Sequence, residues 1–337
     1  MPRPRLDDGP AGPPWSRRSL LVLGLSLSAT ACTVSDPTIR GTAATAPASA
    51  GRSATPSAPP RLTPIAATAV AERQLADLAG RVRTGTPKPS KARRALLRSV
   101  QATHLERASA LASADPGRRP VGAPPADPQP GTGRSVKRLA EAERAAATRY
   151  RREAAATSGL TALLWGSMSV ASDRYAKALA DDDTPSASAP RQHRPMALVP
   201  DTTAVADLVG ALHATVYGYQ LALGRLETDS AAHDRATTGL RDRRVLLERL
   251  SERLTAAGAD VPAAKPAYVP SLRVDDSATA GRLIGHLESA LMPFCGLWLA
   301  AASKPADRRS ALDALADTAA RAERWGGDVQ AWPGWRD

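Results

Sequence analysis

Four side chains in the first half of the chain have the types and spacing from which a buried polar centre is built. Glu72 falls on the helical face that carries Ile65, Leu75 and Ala79. Gln101-x-x-His104 follows, with His104 four residues after Val100, and Glu143 comes four residues after Leu139 and seven before Tyr150. Carboxylate oxygens and an imidazole nitrogen aimed into one core can hold a dication. Gln101 is a poor substitute for a carboxylate here, because a neutral amide supplies no charge to offset the metal. A fourth helix offers only Ser169 and Ser172 at the matching level, while Asp173 points away. The same residues support a purely structural alternative, in which His104 hydrogen-bonds Glu72 or Glu143 and a polar layer fixes the register of the helices.

The second half carries less. Glu288 lies on an apolar stripe three residues before Leu291, and a buried charge requires a partner, for which Arg321 is the candidate. The histidines there, His213, His233 and His286, have no Glu three residues before them. No Gly-rich phosphate loop, Cys-x-x-Cys, His-Glu-x-x-His or serine elbow occurs in the chain, so no catalytic residue is assigned. Of the two cysteines, Cys295 falls in an apolar helical run and reads as a small core residue. Three tryptophans between Trp325 and Trp335 are expected to staple the chain end onto the bundle.

Helices must position these residues. Hydrophobic residues make up 43% of the 337, yet only 4% are aromatic, a balance that favours closely packed helices over sheets. Thr63-Pro64 opens a helix to about Val82, Ser90 caps one to Ala112, a third runs from Ser135 to Ala155, and a fourth from Leu160 to Ala180. In the second half the first helix starts at Asp201, with Val205, Leu208, Val209, Leu212 and Val216 along one face. A second spans about Ala231 to Ala257 and Gly258 ends it; the third contains Pro293, which should kink it; Pro305 opens the fourth. The expected class is all-α, with two successive four-helix bundles, 61–183 and 201–337, joined by a linker over 184–200. The alternative packs the first four helices as an extension on the second bundle.

Short, long, short connections between four helices match a bundle with one crossover. Residues 201–337 also resemble a ferritin-like family of uncharacterised actinobacterial proteins. The resemblance rests on Ala214-Thr215-Val216-Tyr217-Gly218-Tyr219, on Ala256-Ala257-Gly258-Ala259, and on Arg321-Ala322-Glu323-Arg324-Trp325-Gly326-Gly327 with Pro333-Gly334. It implies a ferritin-like fold for that half; the four helices before it suggest a second, degenerate bundle of the same plan. Ferritin-like di-iron centres use a Glu on two helices and Glu-x-x-His on the other two. Leu212 and His213 occupy the zone of the first-helix Glu here, which leaves the second bundle without a metal set.

The amino terminus gives an address. Arg3, Arg5, Arg17 and Arg18 precede an apolar run from Leu20 to Leu27 and then Ala29-Thr30-Ala31-Cys32, the basic–apolar–small order of a signal peptide over 1–31. Arg17-Arg18 resembles a twin-arginine export signal, with the ordinary secretory route as the alternative. The run ending at Cys32 resembles a bacterial lipobox, which implies a lipid on Cys32 and a membrane-anchored protein outside the cytoplasm. Residues 32–60, rich in Pro, Ser, Thr and Ala, read as a flexible tether. Net charge is +12, and residues 32–200 alone carry 25 Lys and Arg against 13 Asp and Glu, whereas 201–337 carry 16 against 18. A basic first half suits an anionic envelope polymer or lipid; export argues against nucleic acid. The expected function is a non-catalytic binding or scaffolding lipoprotein of the cell envelope, with no obligatory cofactor. The alternatives are a ferroxidase or iron-storage relative and an electrostatic binder of envelope polymer. Nothing in the sequence sets the oligomeric state.

Overall fold

A computed structural model describes residues 64–114, 135–181, 187, 196–270 and 272–336. Among these, the regular structure is helical: α1 (Pro64–Gly85), α2 (Lys91–Ala114), α3 (Val136–Ala156), α4 (Gly159–Ala180), α5 (Asp201–Leu223), α6 (Ala231–Ala256), α7 (Ser277–Ala301) and α8 (Pro305–Arg324). Side chains that can accept from orphan N–H groups set several starts. Ser135 accepts from the Arg138 N–H and Ser230 from that of His233, while Asp276 and Thr279 form a capping box at α7. Gly258, at φ 65°, takes the left-handed turn that closes α6. α7 passes through Pro293 without a break.

Both sets of four helices share one topology. A cluster at one end of the first bundle joins Val82 near the end of α1, Leu96 and Leu97 near the start of α2, Leu139 near the start of α3 and Leu179 at the end of α4. The second bundle has the same arrangement: Ala222 near the end of α5, Leu240 in α6, Ile284 in α7 and Trp325 just beyond α8. In each bundle the second helix leaves this end and the third begins at it, so the chain passes the length of the bundle between them. This is the one-crossover plan expected from the connection lengths.

The bundles are not separate in packing. One core cluster runs from Tyr150, Leu163 and Met168 of the first to Leu291, Trp298, Leu299, Leu312 and Leu315 of the second, and it includes Met196 from the stretch expected to be a linker. Gly166 of α4 sits where a Cβ would meet Leu299 of α7 and Leu312 of α8. The buried Arg308 donates from Nε and Nη2 to the Ala155 carbonyl near the end of α3, at 3.1 and 3.0 Å, and from Nη1 to Ser303 at 2.7 Å. A guanidinium there also complements the negative end of the α3 dipole. Arg174 pairs with Glu323 at 2.6 Å across the same seam. α7 is long and apolar enough to cross a membrane, but Leu291, Met292, Cys295 and Trp298 are buried in this core.

Candidate functional site

Each bundle encloses a polar centre. In the first, α1 supplies Glu72, α2 His104 and Arg107, and α3 Glu143 and Tyr150, all five fully buried. His104 lies between the carboxylates: Nδ1 is 2.7 Å from Glu72 Oε2 and Nε2 is 2.6 Å from Glu143 Oε1. With a carboxylate on each ring nitrogen, the imidazole donates from both and carries a positive charge. Burial by itself would lower the pKa of His104, but the two carboxylates overcome that and lift it to about 9. Burial works in the opposite direction on Glu72, raising it, and the His104 charge and hydrogen bond, with Arg107, hold its carboxyl below the usual range instead. Tyr150 donates to Glu72 Oε1. Arg107 Nη1 lies 3.9 Å from Glu72 Oε2 and donates to Ser172 of α4 at 3.3 Å. Two anions thus meet two cations, and the centre is neutral.

Sequence reasoning therefore brought Glu72, His104 and Glu143 together correctly, and the structure gives them the arrangement of the polar layer. Glu72 and Glu143 face opposite nitrogens of one ring and do not converge on a common point. Among the described residues no group of three or more His, Cys, Asp or Glu is arranged to hold a metal ion. Gln101 stands apart from the centre and accepts from Arg83 Nε at 3.3 Å. Ser169 donates to the Ala147 carbonyl at 2.8 Å. Arg107 was missed, although Val100, His104, Arg107 and Leu111 form one inward stripe at three-to-four spacing.

In the second bundle the expected partner of Glu288 must be corrected. Its carboxylate accepts from Arg243 of α6, Nε to Oε1 at 3.0 Å and Nη2 to Oε2 at 2.5 Å, not from Arg321. Tyr219 of α5 donates to Oε1 at 2.6 Å. Arg243 also reaches Thr318 Oγ1 at 3.2 Å and Asp317 at 3.2 Å. Arg321 lies one step further out, paired with Asp317 and Asp242 at 2.8 Å each. The reason is position: Arg243 lies in the inward stripe of α6 between Leu240 and Leu250, whereas Arg321 is on the flank of α8. The five charges form a line from the core to the surface. Burial tends to lower the Arg243 pKa, but Glu288 and Asp317 raise it overall, so it stays charged. Cys295 is a buried free thiol that burial pushes up to about 11, which makes it a poor nucleophile.

The chain end is stapled, and to the first bundle as well as the second. Arg107 Nη2 donates to the Ala331 carbonyl at 2.9 Å and its guanidinium lies 5.4 Å from the Trp332 ring centroid. Trp332 Nε1 donates to Glu106 at 3.1 Å, and Val329 bridges to Ala187. Trp325 packs instead against Gly281 and Gly285 of α7. Arg17, Arg18 and Cys32 lie outside the described residues.

Fold and centres define an all-α protein of two four-helix bundles, each closed around an internal ion pair. Residues 204–337 match the family described as a domain of unknown function, DUF4439. A solved structure of a conserved hypothetical protein, rv2844 from Mycobacterium tuberculosis, is 26% identical, with 37% of this chain and 93% of that chain covered and a TM-score of 0.36. No curated protein matches.

Proposed function

We propose that this chain is an exported lipoprotein, anchored to the membrane through Cys32, whose paired ferritin-like bundles serve binding or scaffolding rather than catalysis. One observation carries the non-catalytic reading: the cation at the centre of each bundle is the protein's own. The His104 imidazolium lies between Glu72 and Glu143, and the Arg243 guanidinium lies against Glu288. In the first bundle the Glu, Gln-x-x-His and Glu positions on three helices are those a ferritin-like centre would use; in the second the first-helix position is Leu212 and His213, and Glu288 meets Tyr219 and Arg243 instead. A dication entering the first bundle would have to expel a proton from a doubly bound imidazole, and in the second a covalently tethered guanidinium. The donor sets therefore do not fit a di-iron centre. The export signal at Arg17 and Arg18 and the lipobox-like run before Cys32 support the address. The test is elemental analysis of the full chain after incubation with ferrous iron and gel filtration. We expect substoichiometric iron. Stoichiometric iron that survives filtration, lost in a Glu72→Gln, Glu143→Gln variant, would restore the ferroxidase or iron-storage alternative.

A further inference from the structure

One end of the first bundle is strongly basic. The Val82–Leu96–Leu139–Leu179 cluster places the end of α1, the start of α2, the start of α3 and the end of α4 at the same end. Residues 77–98, which make the α1–α2 corner of that end, hold seven Lys and Arg against one Asp. Lys88, Lys91, Arg94 and Arg98 are exposed, and Lys137 of α3 and Lys177 of α4 join them. Lys91, Arg94 and Arg98 follow one another at three and four residues, so they share a stripe on the outer face of α2. Arg93 is directed differently: it donates to the Ala178, Leu179 and Asp181 carbonyls at 3.2, 2.8 and 2.7 Å and so neutralises the negative end of α4. Among the described residues, the exposed acids at this end are Asp77, Glu141, Asp173 and Asp181.

We infer that this end of the first bundle is a docking surface for a linear polymer carrying phosphate groups and no bases. The occupant follows from what accompanies the charge. Guanidinium and ammonium groups in a row match successive phosphates, and Arg does so bidentately. A lipid bilayer asks for apolar anchors among the cations. The exposed large apolar side chains of the described residues are Leu105, Leu198, Val245, Val261, Val269 and Leu272, none of them at this end. Single-stranded nucleic acid asks for aromatic platforms on which bases stack. Residues 77–98 contain no aromatic. The inference stands on the bundle alone and holds whether or not the chain is anchored or metal-free.

The experiment is titration of fluorescent linear polyphosphate with the full chain between 50 and 300 mM salt. The comparison is a Lys91→Glu, Arg94→Glu, Arg98→Glu variant, whose new carboxylates suit the positive end of α2. An equal charge change elsewhere, Arg241→Glu, Arg244→Glu, Arg249→Glu on exposed positions of α6, is the control. We expect the α2 variant to bind at least tenfold more weakly and to lose about two from the slope of log K against log salt, from roughly 0.7 per phosphate contact. The control should stay within about twofold of the parent. Equal losses in both variants would reduce the effect to net charge and overturn the proposal. So would tighter binding to phosphatidylglycerol vesicles, or to single-stranded DNA of matched charge, or the absence of polyphosphate binding at 150 mM salt.

Discussion

Raising the pH should loosen the first bundle through a single proton. His104 has a folded pKa of about 9 against an unfolded value near 6.5. A group whose pKa is raised on folding contributes fully below its unfolded pKa and loses that contribution as pH rises through the folded one. The stabilisation is therefore complete at pH 6, about 1 kcal/mol smaller by pH 7.5, and almost gone at pH 9.5, a total on the order of 3 kcal/mol. The physical source is the pair of carboxylates, Glu72 and Glu143, left facing a neutral ring in a dry core. Cys295 adds a smaller loss at the top of the range, because burial raises its thiol from 9.0 to about 11 and the unfolded thiol ionises first; Tyr150 and Tyr219, pushed upward from 10.0, add little below pH 9.5, and all three are retained in the reference variant. Urea unfolding at several pH values between 6 and 9.5 measures the effect, with His104→Gln as reference. The variant should be less stable at pH 6 by on the order of 3 kcal/mol and should lack most of the pH dependence. A parent protein of equal stability at both ends of the range, or a variant with the parent's slope, would refute the placement of the charge.

Other perturbations follow from the same contacts. Arg243→Met leaves Glu288 buried with Tyr219 as its remaining donor and should cost about 3–5 kcal/mol, largely recovered by adding Glu288→Gln. Arg321→Ala should cost under about 1 kcal/mol, since its partners Asp242 and Asp317 are about two-fifths exposed; denaturant curves that rank the two arginines in the other order would contradict the assignment. Gly296→Ala puts a Cβ 2.0 Å from the Gly334 carbonyl oxygen, so the tail must lift; limited proteolysis should then remove the last residues faster than in the parent. Cys32→Ala should release the protein from the membrane fraction and abolish labelling by a fatty-acid probe. Arg17→Lys with Arg18→Lys should impair export, and unimpaired export would indicate the ordinary secretory route.

Much of this architecture was legible because helices advertise themselves through periodicity. Ser135, Asp201, Gly258 and Pro305 marked ends that fall within a residue or two of those found. Glu72, His104 and Glu143 were legible as a group for the same reason: each interrupts an apolar stripe. What could not be read was which partner a buried charge chooses. Glu288 had two guanidiniums within reach of its core, and the choice of Arg243 depends on how α6 is rotated against α7. Periodicity held the clue, since Arg243 sits in the Leu240–Leu250 stripe and Arg321 does not. The shared core of the bundles could be read only as the alternative packing, because a surface that packs on a neighbouring bundle has the same small, apolar composition as an inner face. Gly166 against Leu299 is an example.

The Arg107 guanidinium has a consequence for the order in which the molecule is made. It completes the Glu72 centre of the first bundle, yet its own carbonyl partner is Ala331, 224 positions later, with Trp332 covering its face. Synthesis delivers the helices of the first bundle long before those two residues exist. Until Ala331 and Trp332 are made, the Arg107 Nη1 has Ser172 and Glu72, but its Nη2 lacks the Ala331 acceptor and the face that Trp332 covers is open. One contact of the amino-terminal bundle is thus completed only by residues made last.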